Sequence, residues 1–530
     1  MRHKHTERRV ILAGILLLLV CGGAGLQGQK SSAPKLRGQT KAGSAASTSM
    51  AAAKAQVDGG DLSAGENTLW SILSSQPDNQ DALTMLGVVR GRQGRHPEAE
   101  SLFRRVLQLN PKSAVASRNL AMALLAQNKP EEAIRQYNQA IQLSPRDSGL
   151  RIELARLELE HGNFAGALSA LERMGGARLP TSAVPLKAAA LLGTNRRADA
   201  EALIPQVKAS PADVLDLATV FVEANDPAGA LRTLGLLNPV PKSASARVHY
   251  LKGRALRQQG GEAAAMASFR QALASDPKSA EALVAMAEAF ASQNKHADSL
   301  AMLEKARAVS PDSKEVLRHV IVEAMRAGQN ERGLEAAQEL QRKSSELDDR
   351  YLVASVMVQQ KQFLAASHIL EDYVAQRPED AKAYLGLGMA YLSLLRYAEA
   401  RSALEHALRM DPSLAEAWYQ LGLLAGQRGD SQEAIQDWKK AVALKPDHGQ
   451  ALFSLGITYL ESGELADAES SLRRSLAVDP GSMKTEYDLA LVLNKLGKRD
   501  EAKQHFERYR TLQEAEHATA GDSAAAPSRQ

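Results

Sequence analysis

Apolar positions along most of the chain recur with the period of a helix rather than of a strand. Leu385 and Met389, Tyr419 and Leu423, Phe453 and Ile457, and Tyr487 and Leu491 are each four residues apart, which puts both members of a pair on one helical face. Ala, Leu, Glu, Gln and Arg fill the tracts between them and β-branched runs are few, so intrinsic propensity favours helix almost throughout. The stretch Leu408–Asp447 shows the unit: two apolar-periodic blocks, a turn at Gln427-Arg428-Gly429-Asp430, and a closing Lys445-Pro446 that the second helix cannot continue through. The pattern predicts an all-α chain of paired antiparallel helices.

The pairs repeat on a ruler. Pro378, Pro412, Pro446 and Pro480 are spaced by 34 residues, as are Pro77, Pro111 and Pro145, and Pro277 with Pro311. Gly388, Gly422 and Gly456 lie 24 residues before Pro412, Pro446 and Pro480, and Ala400, Ala434 and Ala468 lie 12 before them. A mid-helix Gly costs about 1 kcal/mol relative to Ala, a cost that is tolerated where the missing side chain lets two helices approach closely.

With these markers the chain resembles the tetratricopeptide repeat family, whose 34-residue helix-turn-helix unit carries the same small residues and proline. The residues that carry the resemblance are Trp418, Leu421-Gly422, Ala434, Trp438, Ala441 and Pro446. The resemblance implies an α-solenoid, a right-handed superhelix of about fourteen units over roughly residues 44–516. Units at 80–147, 246–313 and 381–482 are clear, so residues 44–180 and 244–516 read as two arrays. Between them, at 181–243, the markers Ala167, Ala200, Ala230 and Ala265 drift to spacings of 33, 30 and 35, and seven prolines fall between Pro180 and Pro241. Helix shortening and a hinge are expected there. Segment 314–346 has Gly333 and Ser344 where the Ala and Pro belong. Residues 26–43 read as a flexible linker and 517–530 as a disordered tail.

A solenoid offers a long surface rather than a single enclosed pocket. The resemblance implies partner binding in a concave groove lined by the first helix of each unit, at the residues three before and one after the small Gly. Those are Leu385, Met389, Tyr419, Leu423, Phe453, Ile457, Tyr487 and Leu491, with Tyr351 upstream. Members of the family that clamp the carboxylate tails of chaperones use Lys and Asn on these faces, so clamping is not expected. Two readings of the apolar set stand open: a widened core, or a groove that docks an amphipathic helix or an extended apolar peptide. Arg247, Arg254 and Arg257, with Lys252 nearby, form a patch for an acidic partner or simply a solvated basic face. Trp418 and Trp438 fall on the family's packing markers and are expected to be structural.

Charge and composition alter the picture mainly at the N-terminus. Of the net charge of +4, Arg2, Lys4, Arg8 and Arg9 against Glu7 supply +3, so no global field favours nucleic acid. That basic stretch precedes the apolar run Val10–Val20 and small residues from Cys21 to Gly25, the pattern of an export signal. Residues 1–25 are read as a signal cleaved after Ala24, as a retained N-terminal anchor, or as a lipoprotein signal acylated at Cys21, where Leu18-Leu19-Val20-Cys21 resembles a bacterial lipobox. The expected setting is the periplasm or cell envelope, with membrane association through the N-terminus only; the absence of any Asn-x-Ser/Thr sequon points the same way.

Catalytic motifs are missing. There is no H-E-x-x-H, G-x-S-x-G, Walker or EF-hand sequence, and Gly386-Leu387-Gly388 continues within a helix instead of turning from a strand. Neighbouring pairs such as Glu405-His406 and Glu160-His161 point about 100° apart on a helix and do not converge on a metal. No enzyme activity, cofactor or metal is expected. The function expected is a non-catalytic protein–protein interaction scaffold that binds proteins or peptides; the alternative is an assembly factor for exopolysaccharide, pilus or secretion machinery that contacts glycan.

Overall fold

The computed structural model describes residues 41–174, 179–208 and 210–524. Among them stand 28 α-helices, three short 3-10 turns and no strand. The helices fall into consecutive antiparallel pairs, such as Ala415–Gln427 with Ser431–Leu444 and Gly449–Ser462 with Leu465–Val478. The described residues divide into two compact units, one ending at Met286 and the other beginning at Ala287, inside the helix Ala280–Ala291.

The turn between the two helices of a pair is set by one left-handed residue. Eight are glycines (Gly60, Gly94, Gly162, Gly260, Gly328, Gly429, Gly463 and Gly497), and six are Asn128, Asn195, Asn225, Asn294, Lys361 and Leu395. Eight and six make fourteen, one for each pair. Gly and Asn are the residues that tolerate this conformation most cheaply. The other end of the unit is fixed by capping: Asn79, Ser113, Asp147, Ser313, Asp380 and Ser482 each accept a hydrogen bond from a first-turn amide of the helix that follows.

The small residues of the ruler lie where two helices touch. A Cβ on Gly87, Gly253, Gly388 or Gly456 would fall 2.5–2.6 Å from Phe103, Phe269, Leu404 or Leu472, and on Gly422 it would fall closer still to the Trp438 indole. In each case the large residue is 16 positions after the glycine. Segment 314–346 reverses the sizes, with Ile321 at the glycine position and Ala337 at the large one, both fully buried. One large and one small residue fill the gap in either order.

Over 181–243 the helices do shorten. Arg197–Glu201 and Pro227–Leu234 have five and eight residues, and Phe164–Glu172 just before the segment has nine, against 14 in most other second helices. A buried cluster nonetheless runs from Ala99 to Ala255 and passes through this segment by way of Val184, Leu191, Val214, Leu217 and Phe221. At the C-terminus the helix Arg499–Ala524 extends into the segment expected to be disordered, as its Ala- and Glu-rich sequence allows. At the other end helix begins at Lys41, within the segment expected to be linker. Residues 1–25, expected to be a signal or anchor, lie outside the described residues together with Cys21. No helix among the described residues is long and apolar enough to cross a membrane.

Candidate binding groove

Within the second unit, first helices of neighbouring repeats touch one another: Lys314–Arg326 with Leu347–Gln359, that helix with Ala381–Ser393, Ala381–Ser393 with Ala415–Gln427, and Gly449–Ser462 with Met483–Lys495. Among the described residues no two consecutive second helices approach as closely, so the first helices form the tighter, inner side. On those helices stand the nine apolar residues singled out from the sequence. Tyr351, Leu385, Met389, Tyr419, Leu423, Phe453, Ile457 and Leu491 are half-buried and Tyr487 is 41% exposed. Their undersides rest on the core: Tyr419, Leu423, Phe453 and Ile457 on the cluster around Trp438 and Leu455, and Leu385 on that around Leu404 and Leu421.

The tyrosines of this set are held by neighbours. Tyr351 packs on Tyr373 at 5.2 Å between ring centroids, and Tyr487 on Tyr509 at 5.3 Å and Phe506 at 5.8 Å. Tyr419 packs on the His448 ring at 4.9 Å. His448, itself buried, accepts from the Ala451 amide through Nδ1 and reaches Glu416 through Nε2 at 3.3 Å, while Gln420 donates to the other Glu416 oxygen at 2.7 Å. Burial alone would raise the Glu416 carboxyl; the hydrogen bonds from His448 and Gln420 outweigh it and hold the group below the ordinary carboxylate range. Tyr419 is pushed up by burial. No repeat marker points to His448, whose ruler-equivalent one repeat earlier is Leu414.

Two further expectations concern named residues. Trp438 is buried and donates from Nε1 to the Tyr419 carbonyl at 3.2 Å, and Trp418 donates to the Pro412 carbonyl at 3.3 Å with the Lys440 ammonium 3.9 Å over its ring. The arginine patch is drawn into the first unit's own contacts. Arg247 pairs with Glu281 and Arg254 with Glu223 at 2.6 Å, and both guanidiniums flank Tyr250 at 5.3 and 6.0 Å; Arg257 also has an interaction partner. His406 stacks on Tyr384 at 4.0 Å and His161 bonds the Leu157 carbonyl at 2.9 Å, so both are engaged with their surroundings.

Tetratricopeptide-repeat profiles match residues 79–146, 124–184, 215–280 and 256–318, and the profile of the cilia and flagella-associated protein 70 C-terminal domain matches 315–526. The chain is therefore built of tetratricopeptide repeats. Among solved structures, the Cut9–Hcn1 hetero-tetramer of the APC/C is 14% identical, covering 87% of this chain and 92% of that one at a TM-score of 0.42. YrrB, described as a tetratricopeptide repeat protein with an unusual peptide-binding site, is 22% identical over 35% of this chain and 95% of its own, with a TM-score of 0.30. MamA from Desulfovibrio magneticus RS-1 is 20% identical over 32% of this chain and 96% of its own, with a TM-score of 0.29. No curated protein sequence matches the chain.

Proposed function

We propose that the chain is a protein-interaction scaffold whose main docking surface is the first-helix face of residues 351–491. Tetratricopeptide repeats are interaction modules, and the profiles that match are of repeat type. The observation that carries the choice of surface is the continuity of the apolar floor: five successive first helices present Tyr351, Leu385, Tyr419, Phe453 and Tyr487 at 34-residue steps, none of them fully buried. Lone exposed apolar residues are ordinary, whereas a contiguous row marks a binding surface. Peptide is favoured over glycan as the ligand, because the second lane of the floor, Met389, Leu423, Ile457 and Leu491, is apolar throughout and suits apolar side chains better than sugar hydroxyls.

The test is a double substitution, Tyr419→Ser with Phe453→Ser. Peptides selected on the full chain should lose at least tenfold in affinity, while helical circular dichroism stays within a few per cent of the parent. Unchanged affinity would move the site elsewhere, and loss of helix would make these residues core.

The envelope setting is part of the same proposal and rests on sequence, chiefly that of residues 1–25. Mass spectrometry of the mature N-terminus separates cleavage after Ala24, acylation of Cys21 and an intact anchor; a full-length, unmodified chain recovered from the cytoplasm would refute export.

A further inference from the structure

Resting on the groove reading above, we infer that the occupant is an amphipathic α-helix of a partner protein with little net charge, and that one bulky apolar side chain of it seats in a recess at Gly426.

Spacing decides the conformation of the ligand. Touching helices lie about 8–10 Å apart, so the rungs from Tyr351 to Tyr419, and again from Phe453 to Tyr487, form a ladder at that interval. A helix advances about 1.5 Å per residue and presents positions i and i+7 on one face about 10.5 Å apart, close to the rung interval. An extended strand at about 3.3 Å per residue has its same-face side chains about 6.6 or 13 Å apart, off the ladder. A polyproline helix at about 3.1 Å per residue fits the interval at i and i+3, but its backbone amides and carbonyls have no internal partners. A floor of Leu, Met, Phe and Ile side chains supplies none either, whereas an α-helix satisfies its own backbone. Charge decides the rest. In the four repeats from Ala381 to Lys495, the charged residues three before or four after a floor residue are Lys382, Lys484 and Lys495 against Glu416, Glu461 and Asp488, and the signs cancel.

Gly426 marks the recess. It lies in the last turn of Ala415–Gln427, four residues after Gly422, yet nothing in the fold requires it. Its φ is not left-handed, and a Cβ there would meet only Trp438 Cη2, at the ordinary contact distance of 3.8 Å. One repeat to either side the same ruler position holds Leu392 and Leu460, both half-buried against the core. Beside the floor the chain thus lacks a side chain at an exposed position with the edge of the Trp438 indole within contact distance, and a Leu, Phe or Trp of the partner would take that place.

The experiment selects 16-residue peptides from a display library on the full chain and measures the enriched ones by fluorescence anisotropy. Expected are apolar residues at i, i+3 or i+4, and i+7, with at least tenfold loss when a central residue is replaced by Pro. Gly426→Leu should weaken these peptides at least tenfold while leaving the melting temperature equal or higher, because Leu is the better helix former. Truncating the peptide's bulky residue to Ala should abolish that sensitivity to Gly426→Leu. Pro-rich or alternating peptides, or a library that enriches nothing, would overturn the helix. Undiminished binding to Gly426→Leu would overturn the recess alone, and undiminished binding to Tyr419→Ser with Phe453→Ser would overturn the groove reading on which both rest.

Discussion

Gly422 and Leu395 show how differently two residues of one array bear on stability. Gly422 faces the Trp438 indole so closely that any side chain must displace it. Gly422→Ala should cost about 1–3 kcal/mol by overpacking, despite the better helix propensity of Ala, and urea denaturation would show it. Leu395 is the reverse case: 69% exposed, with a φ of 60° that a branched side chain resists. Leu395→Asn, the residue used at four equivalent turns, should stabilise by about 0.5–1 kcal/mol on the same measurement. Gly422 was legible in the sequence because close approach leaves a gap that only a small residue fills, and the gap repeats every 34 positions. Gly426 was not, since it obeys no ruler; only the space around it sets it apart.

Elements are held to one another by ion pairs that no local pattern reveals. Glu100, in the helix His96–Leu109, accepts from Arg104 at 2.7 Å, Lys129 at 3.0 Å and Gln127 at 2.8 Å, the last two from the following repeat. Burial works to raise its pKa, but these hydrogen bonds win and lower it to about 2. A depressed folded-state value means the stabilisation is complete above the unfolded carboxylate range and is lost as pH falls from about 4.5 to 2. Glu100→Gln should flatten that part of the stability–pH profile, with a loss of about 1–2 kcal/mol at neutral pH, since its cationic partners remain partly in solvent. Arg247 and Arg254 illustrate why a basic face was legible and its state was not: their partners, Glu281 and Glu223, are 34 and 31 residues away, adjacent only because the helix pairs stack.

At the scale of the molecule, each pair leans chiefly on its neighbours, so stability should vary along the chain. The short second helices Arg197–Glu201 and Pro227–Leu234 close few internal hydrogen bonds and should exchange their amides faster than Ser431–Leu444 and Leu465–Val478. Hydrogen-exchange mass spectrometry of the full chain would show it, and equal protection throughout would contradict it. The repeat count was legible because its markers are obligatory contacts, and it blurs over 181–243, where prolines shift them. The groove was legible only through likeness to a family, because an apolar residue at helical spacing reads the same whether it faces a partner or the core.

The fourteen left-handed turn residues carry a consequence for how such a chain can change length. From Lys361 to Gly497 they stand at equal 34-residue intervals in one backbone conformation, and the segments between them begin and end alike. A cut just after Gly429 and a cut just after Gly463 therefore leave interchangeable ends. Excising residues 430–463 should rejoin two compatible half-pairs and shorten the apolar ladder by one rung, whereas removing a number of residues that is not a multiple of 34 would join ends that do not match. For this part of the chain, length is quantised, and a partner helix can be lengthened or shortened to match only in steps of about two turns.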